Sequence, residues 1–359
     1  MSRLQIAVAG AGLIGRRHAH LVRESASCEL SAVVDPAPGA GEFAREIGAP
    51  VYAALGDLFA AEEPDGVIVA TPNALHVEHG LECVQRGVPA LIEKPLADSV
   101  EEAVRLTEAS EAAGVPLLVG HHRRHNPILA KARQIVREGA LGPIVAVMGS
   151  ALFYKPDGYF EAGPWRAEAG GGPILINMIH EVDALRWMCG EITAVQAMSS
   201  NAARGFPVED TAAISLRFAS GALGTFILSD TAASARSWEQ TSGENASYPG
   251  YPEDSHLISG TLGSLSIPTM RLKTYVGKRS WWEPFQEENI NVEPADPLVN
   301  QLEHFCSTIR GDESPLVTGR EGVRTLRATL AIHRAAQTTD LVQLPSAVLT
   351  PALDERGEA

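Results

Sequence analysis

The stretch Leu4 to Gly15, LQIAVAGAGLIG, constrains this chain more than any other. An aliphatic run, Ile6 to Val8, leads into Gly10, and Gly10, Gly12 and Gly15 then follow the spacing G-x-G-x-x-G. Each glycine has a separate task in a phosphate-binding turn. Gly10 permits the tight turn off the strand, Gly12 lets backbone approach a pyrophosphate, and Gly15 lets the following helix pack closely on the sheet. Leu13 and Ile14 open that helix, whose free N–H groups and partial positive charge suit an anion. Glycine turns alone are common, and the weight comes from a second apolar run, Glu29 to Val34, that ends in Asp35. An acid there accepts from ribose hydroxyls, while Pro36 to Pro38 supply no Arg or Lys to hold a 2′-phosphate. The expected ligand is therefore NAD, with NADP disfavoured.

A chain of 359 residues exceeds what one core usually organises, so two domains are expected, 1–122 and 123–359. Lys and Arg number 29 against 44 acidic residues, and the net charge of −15 disfavours nucleic acid and acidic membrane as partners. Cys28, Cys83, Cys189 and Cys306 have no paired spacing and read as free thiols of a reducing compartment. The chain enters a strand without a signal-like segment, and no apolar run approaches the roughly 18 residues of a membrane span. The expectation is a cytoplasmic protein.

Up to about residue 122, short apolar runs alternate with helical stretches. Strands are expected at 4–9, 30–34, 66–70, 89–92 and 116–119, with a short one near Val51, and helices near 13–25, 74–86 and 99–113. Such alternation implies a doubly wound parallel sheet covered on both faces, a Rossmann-type α/β domain with ligands at the carboxyl ends of its strands. Those ends carry Gly10, Asp35, Thr71-Pro72-Asn73, Glu93-Lys94-Pro95 and Gly120-His121-His122. Beyond a helix near 128–137, strands at 143–153, 192–199, 211–219, 222–231, 256–260, 263–267 and 271–276 are separated by glycine turns. They predict a second α/β domain with a large, mostly antiparallel open sheet and helices near 174–189, 297–310 and 320–337. Segments 237–255 and 278–296 read as long loops of the kind that form lids, and the last nine residues are expected to fray.

Lys94 follows a strand at the ligand edge, where partial desolvation lowers a lysine pKa and allows proton exchange with a hydroxyl. Taken alone it is equally a surface lysine. His180 lies in a helix entered through Gly170-Gly171-Gly172-Pro173, the glycines giving a flexible entry. At helical spacing Asn177, His180 and Asp183 share one face, which would offer an amide, an imidazole and a carboxylate to one ligand. The run His121-His122-Arg123-Arg124-His125 reads as a basic rim, with His122 and Arg123 as substrate contacts, rather than a metal site, since its arginines repel cations. In the loop Asp157 to Arg166, Tyr159, Trp165 and Arg166 are further substrate-contact candidates.

GAGLIGRRHA near the start, ATPNALH at 70–76, EKP at 93–95, and GGG followed by HEVD and RWMCG at 170–190 together resemble the Gfo/Idh/MocA oxidoreductases. The resemblance covers nearly the whole chain. It implies NAD(P)-dependent oxidation of a secondary alcohol of a sugar, sugar acid, cyclitol or related diol, reversibly to a ketone or lactone, in dimers or tetramers joined through the carboxy-terminal sheet. It maps acid/base chemistry to Lys94 and a catalytic histidine to His180; Thr71, Pro72, Asn73, His76, Glu93 and Lys94, at or just after the strand ends, complete the expected cofactor-binding set. Many members carry an aspartate four residues before that histidine. Here the position is Ile176, so Asn177 or Asp183 is expected to take over part of its role. The family also contains NAD-dependent glycosidases and a dinucleotide-sensing regulator, which stand as alternatives. The sequence does not choose the substrate or the physiological direction.

Overall fold

The computed structural model describes residues 2–344, and the carboxy-terminal residues expected to fray lie outside them. The described chain divides into two compact units, one running to Ala130 and joined by Glu293–Arg327, the other formed by Lys131–Val292 and residues 328–344.

In the first unit, six strands, β1 (Leu4–Ala9), β2 (Cys28–Val34), β3 (Val51–Tyr52), β4 (Gly66–Val69), β5 (Ala90–Ile92) and β6 (Leu117–Val119), form a sheet of order β3-β2-β1-β4-β5-β6. Every pairing is parallel. All of β4, β5 and β6 is buried, as a sheet covered on both faces requires. Helices α1 (Leu13–Glu24), α2 (Pro38–Ile47), α3 (Leu55–Ala61), α4 (His76–Arg86) and α5 (Val100–Ala113) supply the cover. The expected strands and helices are present, and α2 and α3 are additions. α2 carries its apolar residues Ala40, Phe43, Ala44 and Ile47 on one helical face, whereas α3, at 7 residues, is too short to show a period.

The expected boundary at 122/123 requires correction, because Glu293–Arg327 returns to this unit. The cause is packing: Leu302, Phe305 and Cys306 of the helix Pro297–Arg310 join the core of Ile6, Val8, Cys28, Ile68 and Leu118. Gly66 makes room for it, since a Cβ there would stand 2.9 Å from Phe305 and 2.7 Å from Ile309.

The second unit carries a nine-stranded sheet. Its strands are β7 (Ile144–Leu152), β8 (Ile192–Ser200), β9 (Thr211–Phe218), β10 (Leu223–Ser229), β11 (His256–Gly260), β12 (Gly263–Ile267), β13 (Arg271–Thr274), β14 (Gln286–Asn289) and β15 (Val342–Gln343). Their order is β14-β13-β12-β11-β7-β10-β9-β8-β15, antiparallel throughout except for the parallel pair β7–β10. β9 alternates buried and exposed residues along its length, the signature of a sheet with one open face. The buried face packs Ile174, Met178, Val182 and Leu185 against Val195, Ile214, Leu216 and Phe226. The segments read as loops are more structured than expected. Within 237–255 the short helix Trp238–Thr241 is anchored by a buried Trp238 whose indole donates to Glu244, and β14 lies within 278–296.

Candidate active site

In the first unit the turn between β1 and α1 is built by its glycines. Gly10 has φ of +97°, and a Cβ there would lie 2.4 Å from the Ala70 carbonyl oxygen. At Gly15 a Cβ would lie 1.9 Å from the Gly10 oxygen, so α1 touches the turn directly. Gly12 differs, with open space for 4 Å around the same position. The helix has no side-chain cap, and its first internal bond is Arg16 N–H to Gly12 O at 2.9 Å. The amides of Leu13, Ile14 and Gly15 are thus left for an anion, with the Leu13 side chain 90% exposed beside them. Asp35 ends β2, and its two carboxylate oxygens accept from Ala11 N–H and Ala37 N–H, each at 2.7 Å. Each oxygen keeps a further lone pair for a hydroxyl. Arg16 also reaches this turn, donating to Ala11 O at 2.9 Å and stacking over Phe43. Open space over Gly12, unbonded amides and an acid at the end of β2 fit NAD, which Gly10, Gly12, Leu13, Ile14, Gly15 and Asp35 would hold.

The other strand ends divide into accessible and internal groups. Pro72 and Asn73 are exposed and Thr71 half-buried after β4. His76 is buried, with Nδ1 2.7 Å from Pro95 O and Nε2 2.9 Å from Thr71 O, so the ring lies between two strand-end turns. Glu93 is buried as well, with His18 Nε2 2.9 Å away and Lys94 N–H donating to its carboxylate. Burial would raise its pKa, but the hydrogen bond and charge of His18, helped by His122 and Lys94, bring it down to about 2. Neither side chain is placed as a ligand contact. They hold the turn that carries Lys94, itself half-buried.

The basic rim expected from the His-Arg run is largely internal. Arg123 is 5% exposed, and Arg124 pairs with Glu321 at 2.8 Å. His125 stacks edge-on against His304, and its carbonyl accepts from Asn300. Burial, then His304 and His122, lowers the His125 pKa to about 3. The returning segment covers this run, which no local pattern discloses. His122 alone of the two substrate-contact candidates is half-buried.

In the second unit Gly171 and Gly172, before the His180 helix, allow close packing, while Gly170 faces open space. A Cβ at Gly172, where φ is +81°, would stand 2.7 Å from Glu209 Oε1, the atom that accepts from Ile174 N–H at 2.9 Å. A wide π-helical turn, Ile174–Met178, precedes the α-helix Ile179–Cys189. Such turns break the 3.6-residue period and occur often at functional sites. Asn177 and His180 are half-buried, whereas Asp183 is 1% exposed, so the expected polar face is divided. The neighbouring Glu181 is buried against His256 at 2.9 Å.

Sequence reasoning missed Lys155. It follows β7, is 8% exposed, and donates from Nζ to Asn177 Oδ1 at 2.6 Å. Asp230 Oδ2 lies 3.7 Å from the ammonium, and Asp230 Oδ1 accepts from Arg204 Nε at 2.9 Å. The ring of Tyr159 lies 4.8 Å from the same ammonium. Burial lowers the Lys155 pKa to about 8, with Asp230 and then Glu239 opposing it. The signal was a lone lysine between the aromatic segments LFY and DGYF. Arg166 stacks on Tyr159 at 4.1 Å, Tyr159 is half-buried, and Trp165 is 52% exposed, so all three candidates of that loop stay accessible.

Residues 4–121 match the oxidoreductase family model with an NAD-binding Rossmann fold, and residues 129–266 match the GFO/IDH/MocA C-terminal domain. The chain belongs to the Gfo/Idh/MocA oxidoreductase family. It is an NAD-dependent oxidoreductase. It is 31% identical to 1,5-anhydro-D-fructose reductase of Ensifer adhaerens over 80% of this chain and 82% of that protein. It is 34% identical to the rhizopine catabolism protein MocA of Rhizobium meliloti over 53% of this chain, matching 59% of that protein's length. Among solved structures, a WlbA dehydrogenase from Bordetella pertussis, in complex with NADH and UDP-GlcNAcA, aligns with a TM-score of 0.78 at 27% identity. That alignment covers 96% of this chain and 99% of the other. No described helix is long and apolar enough to cross a membrane.

Proposed function

We propose that this chain is a dehydrogenase that oxidises, reversibly, a secondary hydroxyl of a small polyhydroxylated molecule: a sugar, sugar acid, cyclitol or related diol. The observation that carries this reading is Lys94, half-buried at the carboxyl end of β5 in the sheet that bears the dinucleotide turn, its backbone held by a buried, ionised Glu93. NAD, when bound, supplies the hydride acceptor. Lys94 takes the proton of the reacting hydroxyl, and His180 hydrogen-bonds and orients that hydroxyl. Tyr159, Trp165, Arg166 and Asn177 of the second unit offer donors and ring faces, the mixture that polyhydroxylated compounds require, and His122 of the first unit is a further proposed contact. The 1,5-anhydro-D-fructose reductase, and the dehydrogenase found in complex with UDP-GlcNAcA, support the substrate class.

The open face of the nine-stranded sheet carries exposed Val145, Met148, Met198, Leu223 and Ile227, a patch suited to a second copy, so a homodimer or tetramer is proposed. All four cysteines are free, which supports a cytoplasmic location. A panel of sugars, sugar acids and cyclitols scanned for NAD reduction at the NADH absorption band tests the activity. Turnover of at least one member, lost in Lys94→Ala, is expected. No reduction of NAD by any member would contradict the proposal.

A further inference from the structure

The position that Ile176 occupies without a carboxylate raises the question of what polar group the substrate meets on this helix. Asn177 is the neighbouring polar side chain, and its orientation is settled by chemistry. An ammonium group only donates, so the Asn177 atom 2.6 Å from Lys155 Nζ is the carboxamide oxygen. That leaves the amide nitrogen, and it donates to no group among the described residues while the side chain stays half-buried.

Lys155 is itself fixed from several sides. Its backbone N–H donates to Asp230 O at 2.9 Å, and its carbonyl accepts from Arg204 Nη2 at 2.8 Å. Its ammonium lies 5.5 and 4.8 Å from the rings of Phe153 and Tyr159. The charged groups facing it are Asp230, Glu239 and Arg204. Arg204 in turn bonds Asp230 and stacks over Tyr154 and Phe160. A buried cation held this firmly cannot easily swing away to meet another partner, so the Asn177 amide is locked.

We propose that Lys155 is a positioning residue for the substrate: it holds the Asn177 oxygen inward, so that Asn177 presents a hydrogen-bond donor, and the site thereby selects substrates with an acceptor, a carboxylate or keto oxygen, at that point. This rests on the proposed function, in which the His180 helix faces the substrate. Arg166, stacked on Tyr159 at 4.1 Å and half-buried, adds a second donor on the same loop. An aspartate at 176 would have offered an acceptor instead. The exchange of Asp for Ile176 plus a locked Asn177 therefore changes which substrates bind, from those donating a hydroxyl proton to those accepting one.

The test uses purified full-length protein with NAD and paired probes, D-glucuronate against D-glucose and D-galacturonate against D-galactose. Wild type is expected to favour the uronate of each pair in kcat/KM. Asn177→Asp, which keeps the Lys155 contact and replaces the donor by a charged acceptor, should raise the uronate KM by about 10- to 100-fold with a smaller change in kcat. Lys155→Met should reproduce the KM effect of Asn177→Ala, and the double variant should be no worse than either single one, the sign of one coupled unit. Lys155→Arg should recover part of the loss. Should Lys155→Met fold poorly because Asp230 is left unpaired, the double variant Lys155→Met/Asp230→Asn removes that charge, and Asn177→Asp tests the donor on its own. Uronate KM within twofold of wild type in Asn177→Asp, or additive losses from Lys155→Met and Asn177→Ala, would overturn the inference while leaving dehydrogenase activity intact. Absence of NAD reduction by wild type with the whole sugar, acid and cyclitol panel would instead overturn the underlying function.

Discussion

Gly12 and Gly15 belong to one motif, yet the structure gives them opposite physical tasks, and that difference can be measured. A methyl group at Gly12 meets nothing within 4 Å, and the residue sits at φ −71°, ψ −172°, which any residue adopts. Gly12→Ala should therefore leave the melting temperature of the ligand-free protein unchanged or slightly raised, by the few tenths to about 1 kcal/mol that restricting the unfolded chain contributes. The same methyl occupies the space through which a pyrophosphate reaches the amides of Leu13, Ile14 and Gly15. Loss of one or two charge-assisted bonds, about 1.5–3 kcal/mol each, predicts NAD affinity weaker by at least ~10- to 100-fold. At Gly15 the methyl would stand 1.9 Å from the Gly10 oxygen, so Gly15→Ala should lower both stability and affinity by driving α1 off the turn. Melting curves without ligand and NADH titration by fluorescence read the two quantities separately. A Gly12→Ala protein that binds NADH like wild type, or one that is as unstable as Gly15→Ala, would refute the assignment of the pyrophosphate to this turn.

Asp35→Ala should narrow the preference for NAD over NADP in paired titrations, since it removes a repulsive charge while Arg16 remains beside the turn; it should also cost about 1 kcal/mol of stability through the lost Ala11 and Ala37 bonds. Lys94→Ala should lower kcat by about 10²-fold or more with little change in NADH affinity. His180→Ala should impair catalysis strongly, and Ile176→Asp should not raise kcat/KM, because the added carboxylate would be half-buried beside a site shaped for an apolar group. Two buried groups set the acid limb of stability. Glu93 has its pKa depressed to about 2, so its contribution, on the order of 3 kcal/mol, is complete above about pH 4.5 and is lost as pH falls toward 2. His125 is held neutral down to about pH 3, so the unfolded chain binds a proton first and stability falls as pH drops below about 6.5. Denaturant midpoints across pH 3–7 should shift less in His125→Gln than in wild type.

The first unit was legible because parallel strands are continuous apolar runs, and each ends in a turn whose residues carry chemistry. β1, β2, β4 and β6 appear where Ile6–Val8, Ala32–Val34, Val67–Val69 and Leu117–Val119 predict them. The return of Pro297–Arg310 was not legible, because its cause is a space above Gly66 formed only in three dimensions. Farther along the returning stretch Glu293–Arg327, Glu321 pairs with buried Arg124, so a run that looks like a basic rim became an internal network. At the candidate site, Lys94, Asn177 and His180 were visible from motif and spacing. Their supports were not. The π-helical turn at Ile174–Met178 breaks the period from which a shared face with Asp183 was reasoned, and Lys155 meets Asn177 across 22 positions of chain.

Transfer of hydrogen from the substrate carbon tests the central claim most directly. A sugar or cyclitol that reduces NAD in the panel, prepared with deuterium on the carbon bearing the reacting hydroxyl, is incubated with the enzyme and the reduced cofactor is isolated. The account predicts net reduced cofactor carrying the deuterium, with both product and label lost in Lys94→Ala. Reduced cofactor that carries no deuterium, with the label still on that carbon, would contradict it.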